Sequence, residues 1–100
     1  MLGAVAQEEG QRDEEAMIVR RPDGSFLLDG AVKIEDLREL LSLRSLPGEA
    51  ELEYQTLAGM LIAVLGHIPK VSETYEWAGW RFEVMDLDGA RVDRVLASQV

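Results

Sequence analysis

The sequence has no cysteine and no asparagine among its 100 residues. The first absence excludes a disulfide framework and thiol chemistry. The second removes every acceptor for N-linked glycans. Both are compatible with a bacterial cytoplasmic setting. Histidine occurs once, at position 67, and one imidazole cannot build a zinc site without further nitrogen or sulfur ligands. His67 follows a predicted helix end, where it is expected to meet free carbonyls. Long apolar runs are lacking too. The stretch Leu57 to Leu65 has nine uncharged residues, far short of the ~20 that a membrane-crossing helix needs. The opening MLGAVA ends in a small-x-small pattern, Ala4-Val5-Ala6. It has neither a basic start nor a long apolar stretch, and is not expected to be a signal peptide.

Basic residues are scarce. Ten Lys and Arg stand against nineteen Asp and Glu, a net charge of −9. An acidic surface repels phosphate backbones, so nucleic acid is not an expected partner. Arg20-Arg21 is the only basic doublet, and it reads as a solvated strand end. The acidity favours cationic partners or simple solubility. No G-x-S-x-G, P-loop or G-x-G-x-x-G occurs, so the common nucleophile and nucleotide signatures are missing.

What is present fits one domain. Residues 1–16 hold Glu8, Glu9, Asp13, Glu14 and Glu15 against Arg12, and read as an acidic linker or tail with little to bury. Residues 17–100 read as the folded unit. Strands are expected at about 17–20 and 25–29, joined by the turn residues Pro22-Asp23-Gly24. In KIEDLRELLSL, Ile34, Leu37, Leu40 and Leu41 share one helical face, with Glu35 and Asp36 at the favourable positive end of the helix dipole. Pro47-Gly48 breaks the chain. Thr56 is a plausible N-cap for a second helix. That helix is apolar nearly all round and so is expected in the core. Gly66 and Pro69 stop it. The remainder reads as a three-stranded meander turning at Ala78-Gly79 and Asp88-Gly89. Its alternation slips at Met85 and Leu87 and again between Val92 and Val95, the pattern of bulges or of a two-sided strand. The predicted fold class is α+β: an N-terminal hairpin, two helices and a C-terminal meander, with both helices on one sheet face. The core is expected to include Ile18, Leu27, Leu37, Leu40, Leu57, Leu61, Val64, Phe82 and Val84.

Three groups of residues are candidates for binding. Glu49, Glu51 and Glu53 alternate. If extended, they put three carboxylates on one side, suited to weak capture of hydrated Mg²⁺ or Ca²⁺. Asp86 and Asp88 precede Gly89 as in part of a calcium loop, without the bidentate Glu or the rest of the 12-residue frame. An acidic hairpin turn is the default reading of this pair. Trp77 and Trp80 bracket a turn and offer a stacking platform for a ligand, or else one ring packs inward and the other covers its edge.

Taken in order, RRPDGSFLLDG, IEDLRELL, EYQTLAGMLIAVLGHIP and WRFEVMDLDGARVDRV resemble the CorC/HlyC transporter-associated domain over about residues 17–97. One departure is Ser72, where the family often carries glycine. The resemblance implies the C-terminal, cytoplasmic module of a bacterial inner-membrane protein that also holds a transmembrane domain and a pair of CBS domains. Such proteins are associated with magnesium and cobalt efflux, and some are labelled hemolysins. It implies a non-enzymatic accessory or regulatory role, through docking on the CBS pair or self-association into a homodimer. No residue is carried over as catalytic. No cofactor is expected; the family fold is similar to an FAD-binding domain, which suggests FAD or an adenine nucleotide as an alternative ligand by analogy of fold alone. The family's recurring Asp23, Gly24, Asp29, Gly30, Thr56, Gly59, Gly66 and Pro69 all have explanations in turns, capping and packing.

Overall fold

The computed structural model describes residues 17–100; the expected acidic tail at 1–16 lies outside the described residues. Five strands and two helices follow one another: β1 (Ile18–Arg20), β2 (Phe26–Asp29), α1 (Ile34–Leu41), α2 (Leu57–Leu65), β3 (Thr74–Trp77), β4 (Trp80–Asp88) and β5 (Arg91–Gln99). The turn residues set most of these bounds. Asp23 accepts from both the backbone N–H and the hydroxyl of Ser25, at 2.9 and 2.6 Å, and so closes the first hairpin. Ala78 and Gly79 both have positive φ, the conformation that a tight two-residue hairpin requires.

The hairpin and the meander are not separate sheets. All strands join in one antiparallel sheet of order β1-β2-β5-β4-β3, with β2 lying along β5. The irregular alternation in the last two strands has a definite cause. Met85 on β4 and Asp93 on β5 are each left without an opposite number, so the register shifts by one and then returns. The two extra residues compensate each other, and Leu87 and Val92 meet in phase beyond them.

The helices cover one face of the sheet. Ile34, Leu37 and Leu41 of α1 and Leu57, Met60 and Leu61 of α2 form a single buried cluster with Phe26, Leu28, Phe82, Val84, Val92, Val95 and Ala97. Both helix starts are fixed together. Ile34 N–H donates to the carbonyl of Gln55 and Leu57 N–H to that of Val32, while Lys33 and Thr56 bridge. Free amides at the first turns thereby find partners. The Thr56 hydroxyl accepts from Gly59 N–H at 3.2 Å, and Gly66 closes α2 at φ 78°.

Four expected core residues need correction. Leu27 is not in the core; Leu28 is, fully buried, with Phe26 on the same side. Side chains alternate across a strand, so Leu27 points to the opposite face, and a run of three apolar residues does not reveal which phase is inward. Ile18, Leu40 and Val64 are half-buried and pack against the cluster from its margin. For α1, the expected stripe is rotated slightly, with Leu41 buried in preference to Leu40.

Candidate functional site

The segment carrying Glu49, Glu51 and Glu53 is a chain of turns, not an extended strand. The alternation therefore does not put three carboxylates on one side. Glu49 is already engaged: one oxygen pairs with the Arg38 guanidinium on α1, and the other accepts from Leu46 N–H at 2.8 Å. Tyr54 reinforces the same loop by donating its hydroxyl to the Pro47 carbonyl. Burial, and then the nearby Glu49 carboxylate, push that phenol above its ordinary range. Beside the loop and α1 runs an open cleft of about 880 Å³, lined by Lys33, Glu35, Arg38, Leu52, Glu53 and Thr56 among others. Its charges are mixed in sign. Among the described residues, no three His, Asp or Glu side chains are grouped so that they could hold a metal ion.

Asp86 and Asp88 lie at the far end of the β4–β5 hairpin. Asp86 is opposite Arg94 in the ladder, and Asp88 accepts from Arg91 at 3.1 Å. Each carboxylate thus has an arginine as its cross-strand neighbour. Trp77 and Trp80 are directly opposed across the β3–β4 turn. Trp80 is buried against Phe26, with centroids 5.9 Å apart. Trp77 is half-buried and donates its indole N–H to the Ser45 carbonyl at 3.1 Å. The pair ties the loop after α1 to the edge of the sheet, the packing role rather than an open platform.

His67 does not interact with helix-end carbonyls; it pairs with Glu73, Nε2 to Oε2 at 2.7 Å. The other Glu73 oxygen accepts from Lys70 N–H at 3.0 Å. That backbone bond first, and the imidazole second, hold the Glu73 carboxyl below its usual range. The loop that these contacts close buries Pro69 and presents Ile68 and Val71 to solvent.

One surface was missed by the sequence reading. On the sheet face away from the helices, Val19, Leu27 and Leu96 stand in register across β1, β2 and β5. Val19 is 39% exposed and Met85 at the bulge 41% exposed, whereas Leu27 and Leu96 are half-buried. The signal was available in principle: Leu96 alternates with the inward Val95 and Ala97, and its phase follows once β2 is placed beside β5. Around this row lie Asp29, Glu76, Glu83 and Asp86, against Arg81 and Arg94.

Comparison with known proteins places this arrangement. The profile of the CorC_HlyC family, described as a transporter associated domain, matches residues 19–100. The fold is similar to the transporter associated domain of a Xylella fastidiosa hemolysin, solved in complex with Mg++ and Mn++. That likeness has a TM-score of 0.72 and 49% identity, over 84% of this chain and 98% of the other. The chain is 40% identical over 87 residues to a UPF0053 protein of Synechocystis sp., and 34% identical over 86 residues to the polyamine export protein of Escherichia coli K12. Those alignments cover 87% and 86% of this chain and 19% of each relative, so the chain spans about a fifth of their length. With a profile match across nearly all described residues and a shared fold, the chain belongs to the CorC_HlyC family of transporter associated domains.

Proposed function

We propose that this domain is a non-enzymatic regulatory module of a larger bacterial membrane protein that exports cations. It sits on the cytoplasmic face and acts by docking on a CBS-domain pair of the same protein. The observation that carries this reading is the match itself: a complete domain that accounts for about a fifth of relatives such as a polyamine export protein. A module of this kind biases its neighbours through contacts, which requires a surface and no reactive centre. Among the described residues, no helix is long and apolar enough to cross a membrane, so in this reading a separate part of the parent does the spanning. The test is binding between this chain and the separately produced CBS pair of its parent, by isothermal calorimetry. A saturable heat supports docking, and its absence at millimolar concentration refutes it.

A second reading is favoured by one specific finding. The 49% identical Xylella fastidiosa domain is described in complex with Mg++ and Mn++, which motivates weak divalent-cation binding here. Glu51, Glu53, Asp86 and Asp88 are its exposed candidates. Titrating Mn²⁺ into the labelled chain should broaden amide signals near whichever of them binds, and Mg²⁺ should reverse the effect. Uniform broadening along the surface would exclude a site. The same experiment with FAD tests the ligand suggested by likeness of fold: saturable shifts near Trp77 would support it, and an unchanged spectrum would dismiss it.

A further inference from the structure

The loop between α2 and β3 is fixed at both ends and in the middle. Gly66 N–H donates to the Ile62 carbonyl and closes the helix. Pro69 is fully buried and anchors the centre. At the far end Ser72 N–H donates to the Val84 carbonyl at 2.7 Å, and Val84 N–H donates to the carbonyl of Glu73 at 2.9 Å. To reach that ladder the chain passes through Ser72 at φ 80°, a conformation that strains any residue with a β-carbon. Left to itself, that strain favours an open loop.

The Glu73 carboxylate opposes it. One oxygen accepts from Lys70 N–H at 3.0 Å, and the other meets His67 Nε2 at 2.7 Å. A single side chain thus grips the loop at two points. Glu73 N–H donates to the Lys70 carbonyl at 3.0 Å and completes the ring. The grip on Lys70 is the same at any pH at which Glu73 is ionised. The grip on His67 is not. With the imidazole protonated the contact is an ion pair. With the imidazole neutral the Coulomb attraction is gone and one hydrogen bond remains.

The surroundings do not mask this change. Helix α2 carries no charged residue. Among the described residues, the charged side chains beside the pair are Lys70, whose charge also acts on Glu73, and Glu83, which stands opposite Thr74 in the ladder. Of imidazole, ammonium and carboxylate groups, only imidazole ordinarily changes charge between about pH 5 and pH 8. Glu73 is held below its usual range by the Lys70 N–H first and by His67 second, and so is ionised throughout that interval.

We infer that His67 and Glu73 form a pH-dependent latch on the α2–β3 loop, tight where the imidazole is protonated and the carboxylate ionised, and looser on either side of that interval. Ile68 and Val71, 49% and 52% exposed on this loop, are therefore held in place most firmly in mild acid. The latch rests on contacts within the loop and holds whether or not the domain docks on a partner.

Hydrogen exchange at the Lys70 amide of the ¹⁵N-labelled full chain, divided by the intrinsic rate at each pH, reads the opening of the loop. Protection should fall about two- to fivefold between about pH 5 and pH 8, the effect of an exposed ion pair. The amide of Met60, in the middle of α2, should show no such step. His67→Gln should keep the lower protection at both ends of the range, with no step between them; a side chain 54% exposed is not needed for folding. Glu73→Gln should lose the step together with the protection. A step of the same size in His67→Gln, or none in the wild-type chain, overturns the latch. An equal step at Met60 overturns it too, since the change would then belong to global stability and not to the loop.

Discussion

Ser72 is held at φ 80°, in the left-handed region, where a β-carbon is strained and glycine is not. It occupies the position at which the family often carries glycine, and the backbone explains that habit. Ser72→Gly is expected to stabilise the domain by about 0.5–1 kcal/mol, since relief of strain exceeds the added freedom of the unfolded chain. Chemical denaturation measures it, and a lower midpoint would refute it. Gly30 is constrained in the opposite sense. A β-carbon built there would lie 2.0 Å from the Val92 carbonyl oxygen, and Gly30 also accepts from Ala58 N–H and donates to Asp93. Gly30→Ala must push β5 aside and is expected to cost about 1–3 kcal/mol or more, as for overpacking elsewhere. An unchanged melting temperature would contradict that. Glu73 contributes to the pH dependence in the same direction as Asp23, whose carboxyl the Ser25 hydroxyl and N–H hold below its usual range. The folded pKa of Glu73 lies below the ordinary glutamate value of 4.5. Its contribution is therefore complete above that value and is lost as pH falls through the folded pKa. Glu73→Gln should speed hydrogen exchange at the Lys70 amide at neutral pH and abolish the difference in acid.

Within the elements, turn chemistry made the boundaries legible. Pro22-Asp23-Gly24, Ala78-Gly79, Thr56 and Gly66 each impose local geometry that needs no distant partner, and each element they delimit stands within about a residue or two of its expected place. The slipped alternation at Met85 was legible as well, because a bulge writes its extra residue into the strand itself. The phase of FLLD was not. Three consecutive apolar residues satisfy either register, and only the pairing of β2 with β5 decides between them. For the same reason the outward row could not be read, since it exists only once three strands are side by side. The glutamate triplet misled because alternation has meaning in a strand and none in a series of turns. Two substitutions test the assignment of faces. Leu28→Ala is expected to cost about 2–5 kcal/mol and Leu27→Ala distinctly less, since only the first empties a fully buried site. Equal costs would mean that the strand is placed in the wrong phase. Leu61→Ala, in the central helix and 1% exposed, belongs in the same 2–5 kcal/mol range.

At the scale of the molecule, the two described helices and one face of the sheet together supply the core. The row Val19, Leu27 and Leu96 lies outside that core, with Leu27 and Leu96 half-buried. The strand order has its own consequence for synthesis. The first hairpin rests its inner edge on β5, and Phe26 meets Ala97 only when the last strand exists. A chain ending at Ala90 should therefore show no cooperative thermal transition, and a sharp one would disprove the topology. On a ribosome the hairpin leaves the exit tunnel long before its neighbour is translated. Phe26 and Leu28 then wait in the open, as a binding site for whatever chaperone holds aliphatic segments of nascent chains, until Arg91–Gln99 emerges and displaces it.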